Sequence, residues 1–262
     1  MRVYPKKSLG QNFLVDQNIA KKIIAALELK PSDIILEIGA GKGELTSLIA
    51  SKVSKIYAVE LDKRLQDTLT YRLKDYSNVS IINQDILKFN LDNLLTGKVR
   101  IKVFGNIPYY ISSPIIEYLI KHRGQVEEAF ITVQKEFAKR VVASPGSKEY
   151  GAFSFFVQYY ALPEIILQIS RGCFFPVPKV DSCLLYLRFR EKPAVYVGNE
   201  GLLFSIIRSA FNQRRKTLRN SLKGIIAQEK IEDFLLKHKK NHNIRPEELS
   251  LSDFAELVNT LS

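Results

Sequence analysis

The stretch that decides the fold runs from Asp33 to Thr46 and reads Asp-Ile-Ile-Leu-Glu-Ile-Gly-Ala-Gly-Lys-Gly-Glu-Leu-Thr. Residues 33–38 are largely apolar and predict a buried strand, residues 39–43 predict a tight turn, and Glu44 begins a helical pattern. Glycine lets the backbone turn sharply and approach a ligand closely, and parallel strands bind cofactors at their carboxyl ends. The stretch therefore predicts an α/β fold with a cofactor site where this strand ends.

The spacing of the glycines narrows the kind of cofactor. A dinucleotide fingerprint, Gly-x-Gly-x-x-Gly, would place its third glycine at position 44, which is Glu44 here. A P-loop would need Gly-Lys-Ser or Gly-Lys-Thr after a four-residue gap, and the sequence lacks it. The pattern Glu-x-Gly-x-Gly-x-Gly over 37–43 fits a nucleoside cofactor without a pyrophosphate better.

Acidic residues follow the next two predicted strands. Glu60 comes after the strand at 55–59, about twenty residues beyond the glycine turn, where a carboxylate can accept hydrogen bonds from both ribose hydroxyls. Asp85 follows the apolar run 79–82, where it can accept from an adenine amine of the cofactor. One such acid alone is more typical of a solvated strand end. Together, the acids predict a nucleoside site.

A further strand, predicted over 99–104, leads through Gly105, read as a turn residue, into Asn106-Ile107-Pro108-Tyr109. The N6 nitrogen of adenine is a poor nucleophile because its lone pair is delocalised into the ring. The Asn106 side-chain oxygen and a backbone carbonyl held by Pro108 supply two acceptors for its protons, and Tyr109 offers a face for base stacking. We expect Asn106, Pro108 and Tyr109 to be catalytic. A plain turn after a strand, where Asn and Pro are common, is the alternative.

The remaining pattern predicts two domains. Predicted strands lie at 33–38, 55–60, 79–82, 99–104, 127–133, 164–170 and 182–189. Their alternation with helices is typical of a mostly parallel sheet covered on both faces, and the last pair predicts an antiparallel edge. Beyond residue 190 only helical periodicity remains, at 202–210, 216–227, 231–237 and 252–261. We expect a cofactor-binding domain at 1–190 and a small helical domain at 191–262.

Charge is concentrated in the predicted helical domain. The chain has 262 residues and a formal net charge of +12, which favours a polyanionic partner. No acidic residue occurs between Glu200 and Glu229, and the basic residues there are Arg208, Arg214, Arg215, Lys216, Arg219 and Lys223. We expect Arg214, Arg215, Lys216 and Arg219 to bind RNA, with Arg215 and Arg219 at the spacing of one helical face. A merely solvated basic surface is the alternative.

Other features exclude several classes of protein. No stretch approaches ~20 uninterrupted apolar residues, and the N-terminal residues lack the apolar core of a signal peptide, so we expect a cytoplasmic protein without membrane contact. Cys173 and Cys183 show no Cys-x-x-Cys pairing and predict reduced thiols. His238 and His242 are four apart, but among so many lysines they indicate a solvated face, and we expect no metal.

These motifs resemble those of the ribosomal RNA adenine N6,N6-dimethyltransferases, nearly from end to end. Besides the segments above, the resemblance is carried by 8–14 (Ser-Leu-Gly-Gln-Asn-Phe-Leu), 133–136 (Val-Gln-Lys-Glu), 175–182 (Phe-Pro-Val-Pro-Lys-Val-Asp-Ser) and 211–219 (Phe-Asn-Gln-Arg-Arg-Lys-Thr-Leu-Arg). The last segment resembles the bacterial branch that acts on small-subunit RNA. Ile107 and Tyr110 depart from the commoner Leu and Asn, which bears on details of the target pocket.

The resemblance implies a Rossmann-like class I methyltransferase sheet and S-adenosylmethionine as methyl donor. The implied cofactor contacts are Asn12, Leu14, Gly39, Glu60, Asp85 and Asn106. We add Gly41 of the glycine turn to this set. Asn12 and Leu14 rest on the resemblance alone, because Gln11-Asn12 before an apolar residue reads equally well as a helix cap. The implied reaction is dimethylation of N6 on two adjacent adenines in a hairpin loop near the 3′ end of 16S rRNA, in the small ribosomal subunit, with a role in subunit biogenesis. We expect a monomer.

Three other functions remain open from the sequence. A large-subunit (23S) rRNA adenine methyltransferase of the macrolide-resistance type would share the sheet but usually lacks the Arg-rich segment at 211–219. A DNA adenine methyltransferase would need a separate recognition domain, for which the chain is short. A ribosome-assembly factor with little catalysis would need neither the intact glycine turn nor Asn106.

Overall fold

The computed structural model describes residues 3–94, 99–213 and 215–261. Contacts within the chain divide it into two units. The first comprises Met1–Ala138 and Leu162–Glu191, and the second comprises Lys139–Ala161 and Lys192–Ser262. The division after Glu191 lies beside the boundary expected from the sequence. Residues 139–161, however, group with the second unit, whereas the sequence pattern had placed them in the first.

Seven strands form one sheet, and their bounds lie close to the predicted ones. They are β2 (Ile34–Ile38), β3 (Lys55–Val59), β4 (Val79–Ile82), β5 (Ile101–Asn106), β6 (Val126–Gln134), β7 (Ala161–Ile169) and β9 (Ser182–Phe189). Two short strands that the sequence did not predict, β1 (Phe13–Leu14) and β8 (Phe174–Phe175), form a separate antiparallel pair.

The order of the strands creates the place for a site. The sheet runs β4-β3-β2-β5-β6-β9-β7, with parallel pairing from β4 to β6 and antiparallel pairing of β6 with β9. The mostly parallel sheet with an antiparallel edge is as predicted. The order reverses between β2 and β5, and at such a switch point the loops that follow two neighbouring strands diverge and leave a crevice for a ligand. The loops after Ile38 and Asn106 flank this crevice.

Helices cover both faces of the sheet in the first unit. They are α1 (Gln17–Ala26), α2 (Glu44–Ala50), α3 (Gln66–Leu73) and α4 (Ser112–Lys121), and α5 (Lys135–Val142) follows β6. Ile23 of α1 and Ile49 of α2 pack in one apolar cluster with Ile35 and Phe104 from the sheet. Strand residues alternate between faces, so the fully buried Val103 points to the other side, and α4 lies against β6 with an apolar face outside that cluster.

The regular structure described in the second unit is mainly helical, apart from Ala161 at the start of β7 and an isolated bridge between Lys223 and Ile226. Its helices are α6 (Ala152–Tyr160), α7 (Glu200–Phe211), α8 (Leu218–Ser221), α9 (Gln228–Lys237) and α10 (Leu251–Asn259). The ring of Phe155 in α6 lies 5.4 Å from that of Phe211 and 5.1 Å from that of Phe254, centroid to centroid. The hydroxyls of Tyr159 and Tyr160 both donate to the Glu200 carboxylate, at 3.0 and 2.7 Å. These contacts are the reason that residues 139–161 belong to this unit.

The helix predicted over 216–227 is wrong for most of its length. Only α8 forms, as a single turn that begins after Thr217, whose side chain accepts from the N–H of Asn220. Gly224 has a φ of 82°, and such a left-handed residue ends a helix. Arg215 lies outside α8, so Arg215 and Arg219 do not share a helical face.

Within the described residues, none of the helices has both the length and the apolar character needed to span a bilayer.

Candidate active site

The glycine turn forms as the sequence predicts. Gly39 and Gly41 have φ values of 76° and 60°, which glycine adopts without the strain that a Cβ would add. The N–H of Gly39 donates to the carbonyl of Val59 at 2.8 Å, so the turn is tied to the end of β3. A Cβ on Gly41 would lie 3.2 Å from the ring of Phe13. The turn therefore combines a left-handed backbone with close packing that excludes larger residues.

Glu60 is bound to this turn through its carboxylate. Its Oε2 accepts from the N–H of Gly41 and its Oε1 accepts from the N–H of Asp62, both at 2.8 Å. The residue is only 8% exposed, and burial raises its pKa, while the two N–H donors oppose that shift. A carboxylate has about four lone-pair sites, so each oxygen can still accept from a ligand.

A cleft opens beside the turn. Its lining residues, from the carboxyl ends of four neighbouring strands and from the N-terminal segment, include the predicted Asn12, Gly39, Gly41, Glu60, Asp85, Asn106 and Pro108. Leu14 and Tyr109 are not among its lining residues. Leu14 instead lines a smaller neighbouring pocket that shares Gly39, Gly41 and Asn106 with the cleft.

Asp85 lies at the strand end where the sequence predicts it. Its Oδ1 accepts from the N–H of Leu87 at 3.0 Å and caps a short 3-10 helix, which fixes the carboxylate at the cleft wall. The Nδ2 of Asn83 donates to the carbonyl of Glu60 at 2.8 Å. The loops after β3 and β4 are thereby joined, and both acids face one cleft.

Asn106 is the last residue of β5, and its side-chain amide has a fixed orientation. Its Nδ2 donates to the carbonyl of Asn12 at 3.3 Å, which leaves Oδ1 as an acceptor for a substrate. The helix-cap reading of Asn12 is wrong, because Asp16 caps α1 by accepting from the N–H groups of Asn18 and Ile19. Asn12 instead connects the N-terminal segment to the end of β5.

Gly105 is not the turn residue that the sequence indicated. It lies within β5, paired with Ile38 on one side and Ile131 on the other. A Cβ there would lie 3.0 Å from Cγ2 of Ile107 and 3.3 Å from Cβ of Ile38. Glycine is required here by close packing beneath the site, since a methyl group would push against both side chains.

Tyr109 follows Pro108 in a 3-10 turn, and its side chain is half-buried outside the cleft. The carbonyl of Pro108 accepts from the N–H of Ile111 at 3.2 Å. The Tyr109 hydroxyl lies 2.6 Å from Oγ of Ser182, the first residue of β9. Burial raises the pKa of Tyr109, so its phenol stays neutral at physiological pH. Asn106 and Pro108 therefore line the cleft, whereas Tyr109 contacts β9.

Glu37 is a buried acid with an unsatisfied oxygen. It is 2% exposed, its Oε2 has no hydrogen-bond partner, and it lines the smaller pocket together with Lys42. Burial raises its pKa to about 8, with the Glu60 carboxylate adding to the shift and the Thr46 hydroxyl opposing it. Glu37 is therefore largely protonated at neutral pH.

No cofactor-binding or catalytic role was predicted for several other residues that line the cleft. These are Leu9, Gln11, Phe13, Ile38, Val59, Leu61, Gln84, Ile86, Ile107, Tyr110 and Ile111. Leu61 and Ile86 each follow a predicted acid directly, and this adjacency was the available signal. Gln11 donates through Nε2 to Oδ2 of Asp62 at 3.0 Å, a contact between positions 51 residues apart that no local pattern reveals.

The basic residues expected to bind RNA differ in their surroundings. Arg215 and Lys216 are exposed and line an open cleft with Phe211, Asn212 and Gln213. Arg219 forms an ion pair with Glu232 at 3.0 Å and donates through Nε to Gln228 at 2.9 Å. Arg214 lies outside the described residues. Of the expected set, Arg215 and Lys216 form the exposed basic surface at this cleft.

Comparisons with known proteins agree on one family. The family model described as ribosomal RNA adenine dimethylase matches residues 4–262. A protein of Alkaliphilus metalliredigens named ribosomal RNA small subunit methyltransferase A is 41% identical, over 96% of this chain and 90% of its own length. One of the same name from Syntrophus aciditrophicus is 41% identical, over 99% and 95%.

Solved structures show the same fold. A dimethyladenosine transferase from Plasmodium falciparum superimposes with a TM-score of 0.77 at 28% identity, covering 94% of this chain and 95% of that one. The 23S rRNA methyltransferase ErmE gives a TM-score of 0.76 at 25% identity, covering 95% and 100%. The sheet and its flanking helices are therefore those of class I methyltransferases.

Proposed function

Because the chain belongs to the ribosomal RNA adenine dimethylase family, it is an rRNA adenine dimethyltransferase that uses S-adenosylmethionine, and we propose that its substrate is 16S rRNA within the small ribosomal subunit. The targets are two adjacent adenines in a hairpin loop near the 3′ end, each dimethylated at N6, and the modification belongs to subunit biogenesis. The observation that carries this proposal is the 41% identity to small-subunit enzymes over nearly the whole chain.

The cleft fits S-adenosylmethionine by the chemistry of its lining residues. The free lone pairs of Glu60 suit two ribose hydroxyls, Asp85 suits an adenine amine, and Leu61 and Ile86 supply apolar flanks for the base. Gly39 and Asn106 belong to both the cleft and the smaller pocket, so the cofactor's amino-acid end can lie where these two spaces meet. Asn12 and Leu14 complete the site from the N-terminal segment. When bound, the cofactor supplies an electrophilic methyl group on a sulfonium sulfur. After transfer of the methyl group, the rest of the cofactor is a neutral thioether.

The end of β5 holds the nucleophile. Oδ1 of Asn106 accepts a hydrogen bond from one N6–H of the target adenine, because Nδ2 of Asn106 already donates to the carbonyl of Asn12. The carbonyl of Ile107 accepts a hydrogen bond from the other N6–H, since the carbonyl of Pro108 already accepts from the N–H of Ile111. Pro108 fixes the intervening backbone and Tyr109 stacks on the base. These residues turn the nitrogen lone pair toward the methyl group.

Catalysis in this arrangement depends on positioning and on exclusion of water. The target base must leave its stack before its N6 can meet the methyl group, and the free-energy cost of unstacking is small in a single-stranded loop. The alkylated amine is acidic, so its proton leaves readily after attack and no strong general base is needed beforehand. The exposed Arg215 and Lys216 of the second unit bind RNA phosphates and contribute a salt-dependent part of the affinity.

The fold alone does not identify the RNA substrate. The TM-scores of 0.77 for the dimethyladenosine transferase and 0.76 for the 23S rRNA methyltransferase are nearly equal. The 41% identity to relatives named small subunit methyltransferase A, against 25% for the 23S enzyme, favours the small-subunit branch. The Arg-rich segment 211–219 favours the same branch. We further propose that the enzyme acts as a monomer in the cytoplasm, where ribosomal subunits mature.

A competition experiment tests the choice of substrate. Unmethylated small subunits, large subunits and naked 16S rRNA are incubated together with the enzyme and labelled S-adenosylmethionine, then separated and counted. Label confined to small-subunit RNA supports the proposal. Label in 23S rRNA would support the resistance-type alternative instead. Binding to small subunits without any transfer would point to an assembly factor.

A further inference from the structure

Ser182 is a buried hydroxyl next to the proposed adenine site. It is the first residue of β9, it is fully buried, and it pairs with Gln134 of β6. Its Oγ lies 2.6 Å from the hydroxyl of Tyr109, although 73 positions separate the two in sequence. The sheet therefore holds one end of this bond rigidly.

The backbone of Tyr109 is fixed independently of Ser182. Pro108 has a φ of −59°, the 3-10 turn closes from Ile111 to Pro108, and Oγ of Ser112 donates to the Tyr109 carbonyl at 2.9 Å. The side chain still has two rotatable bonds, so the backbone alone does not set the plane of the ring. A bond from the ring's hydroxyl to the sheet fixes where the far end of the ring lies, so it restricts rotation about Cα–Cβ; the hydroxyl oxygen lies on the Cβ–Cγ axis and does not move when the ring turns about that bond.

Ser182 also projects from the same face of the sheet as Asn106. Asn106 pairs with Thr132 of β6, and Thr132 pairs with Leu184 of β9. Ser182 is two residues from Leu184, and alternate strand residues share a face, so Asn106, Thr132 and Ser182 project from the same face of the sheet. One rigid face thus supports both the acceptor for N6 and the anchor of the stacking ring.

We propose that Ser182 is a positioning residue for methyl transfer, whose hydroxyl holds the far end of the Tyr109 ring in place so that the target adenine can stack against the ring. This inference rests on the proposed function. Neither Ser182 nor Tyr109 lines the cofactor cleft, so losing their bond should affect the reaction of the base and leave cofactor binding unchanged.

A double-mutant cycle tests the proposal with wild type, Ser182→Ala, Tyr109→Phe and the double variant. Each single change removes the same bond from one end. We expect each to lower kcat roughly five- to tenfold, the rate equivalent of one hydrogen bond, with KM for S-adenosylmethionine within about twofold of wild type. The double variant should be no slower than the slower single variant, because the bond can be lost only once.

Ser154→Ala is the matched control. Ser154 is also fully buried, and its Oγ donates to the carbonyl of Arg140 at 2.6 Å, within the second unit. Its loss should lower the melting temperature to a similar extent without changing kcat. A purely structural effect of Ser182→Ala would resemble this control.

The experiment distinguishes a failure of the Ser182 proposal from a failure of the proposed function. Wild-type transfer is measured first, and the cycle uses whichever adenine-containing RNA the wild type methylates, so a failure of the 16S assignment does not affect the cycle. A kcat of Ser182→Ala equal to wild type, or an equal further loss from Ser182→Ala in the Tyr109→Phe background, overturns the role of Ser182. If Ser182→Ala does not fold, an unchanged kcat for Tyr109→Phe overturns it, and a lowered kcat with unchanged KM supports it.

Discussion

Replacing Glu60 by Gln should weaken cofactor binding while sparing the methyl-transfer step. The wild-type carboxylate accepts two backbone N–H groups at 2.8 Å and keeps lone pairs for the two ribose hydroxyls. The amide has one oxygen, so it satisfies one of the two N–H donors and turns its own NH₂ toward the other. Its single oxygen is then shared between the protein and the ribose.

The magnitude follows from the bonds that change. A hydrogen bond to a charged group contributes ~1.5–3 kcal/mol and a neutral one ~0.5–1.5 kcal/mol. Losing one charged acceptor and weakening a second costs roughly 2–3 kcal/mol of cofactor binding, or about 30- to 150-fold in Kd. At saturating cofactor, kcat should fall less than about threefold, because Glu60 does not touch the reacting nitrogen.

Calorimetric titration with S-adenosylmethionine measures Kd, and steady-state rates with small subunits measure kcat. Glu128→Gln is the control, since Glu128 also accepts from two partners, Lys102 and Tyr186, but lies near the start of β6, away from the cleft. That variant should bind the cofactor like wild type. A Kd for Glu60→Gln equal to wild type, or a large loss of kcat with unchanged Kd, would refute the assignment of Glu60 to the ribose.

Further predictions concern other residues. Asn106→Ala should lower kcat by at least about a hundredfold with RNA affinity nearly unchanged, measured by single-turnover transfer and filter binding; equal turnover would contradict the site. Arg215→Ala with Lys216→Ala should weaken RNA binding and reduce the slope of log K against log salt by about two, and an unchanged slope would contradict a phosphate role. Burial raises the Glu37 pKa from 4.5 to about 8, so the folded state binds more protons than the unfolded state and stability falls as pH rises between these values. Glu37→Gln should therefore gain roughly 3–5 kcal/mol relative to wild type between pH 4 and 9 in urea unfolding, and a constant difference would refute this.

Much of the sheet and of the cofactor site could be predicted from sequence because both depend on short-range patterns. Apolar runs end at Glu60, Asp85 and Asn106, and in a parallel sheet such ends meet at one edge whatever the rest of the chain does. The glycine turn could be predicted for the same reason, since its φ values demand glycine at fixed spacing.

Long-range contacts could not be predicted from such patterns. Gly105 resembles a turn residue in sequence, yet packing against Ile38 and Ile107 is what excludes a side chain there. The contact of Tyr109 with Ser182 depends on β9 lying beside β6, which no local pattern states. The apolar helix α6 sits between strands in sequence, and only its aromatic contacts in the second unit reveal where it packs.

The prediction of a helix at 216–227 was wrong for a local reason, because helix propensity underestimates how strongly a glycine can interrupt a helix. Its apolar spacing suits a helix, but Gly224 adopts a left-handed φ of 82° and α8 stops at Ser221. Arg215 and Lys216 therefore precede α8 in a turn and not in a helix. Arg219 was predicted as an RNA ligand from charge alone, and its ion pair with Glu232 could not be seen without the fold of α9.

The central claim is that the end of β5 directs methyl groups onto adenine N6. The most direct test is mass spectrometry of nucleosides from unmethylated small subunits after exhaustive reaction with wild-type enzyme and S-adenosylmethionine, beside a parallel reaction with Asn106→Ala. The account predicts N6,N6-dimethyladenosine from two adjacent adenines of 16S rRNA with wild type and almost none with the variant. Methylation at another atom or on another base, or equal product from both enzymes, would contradict it.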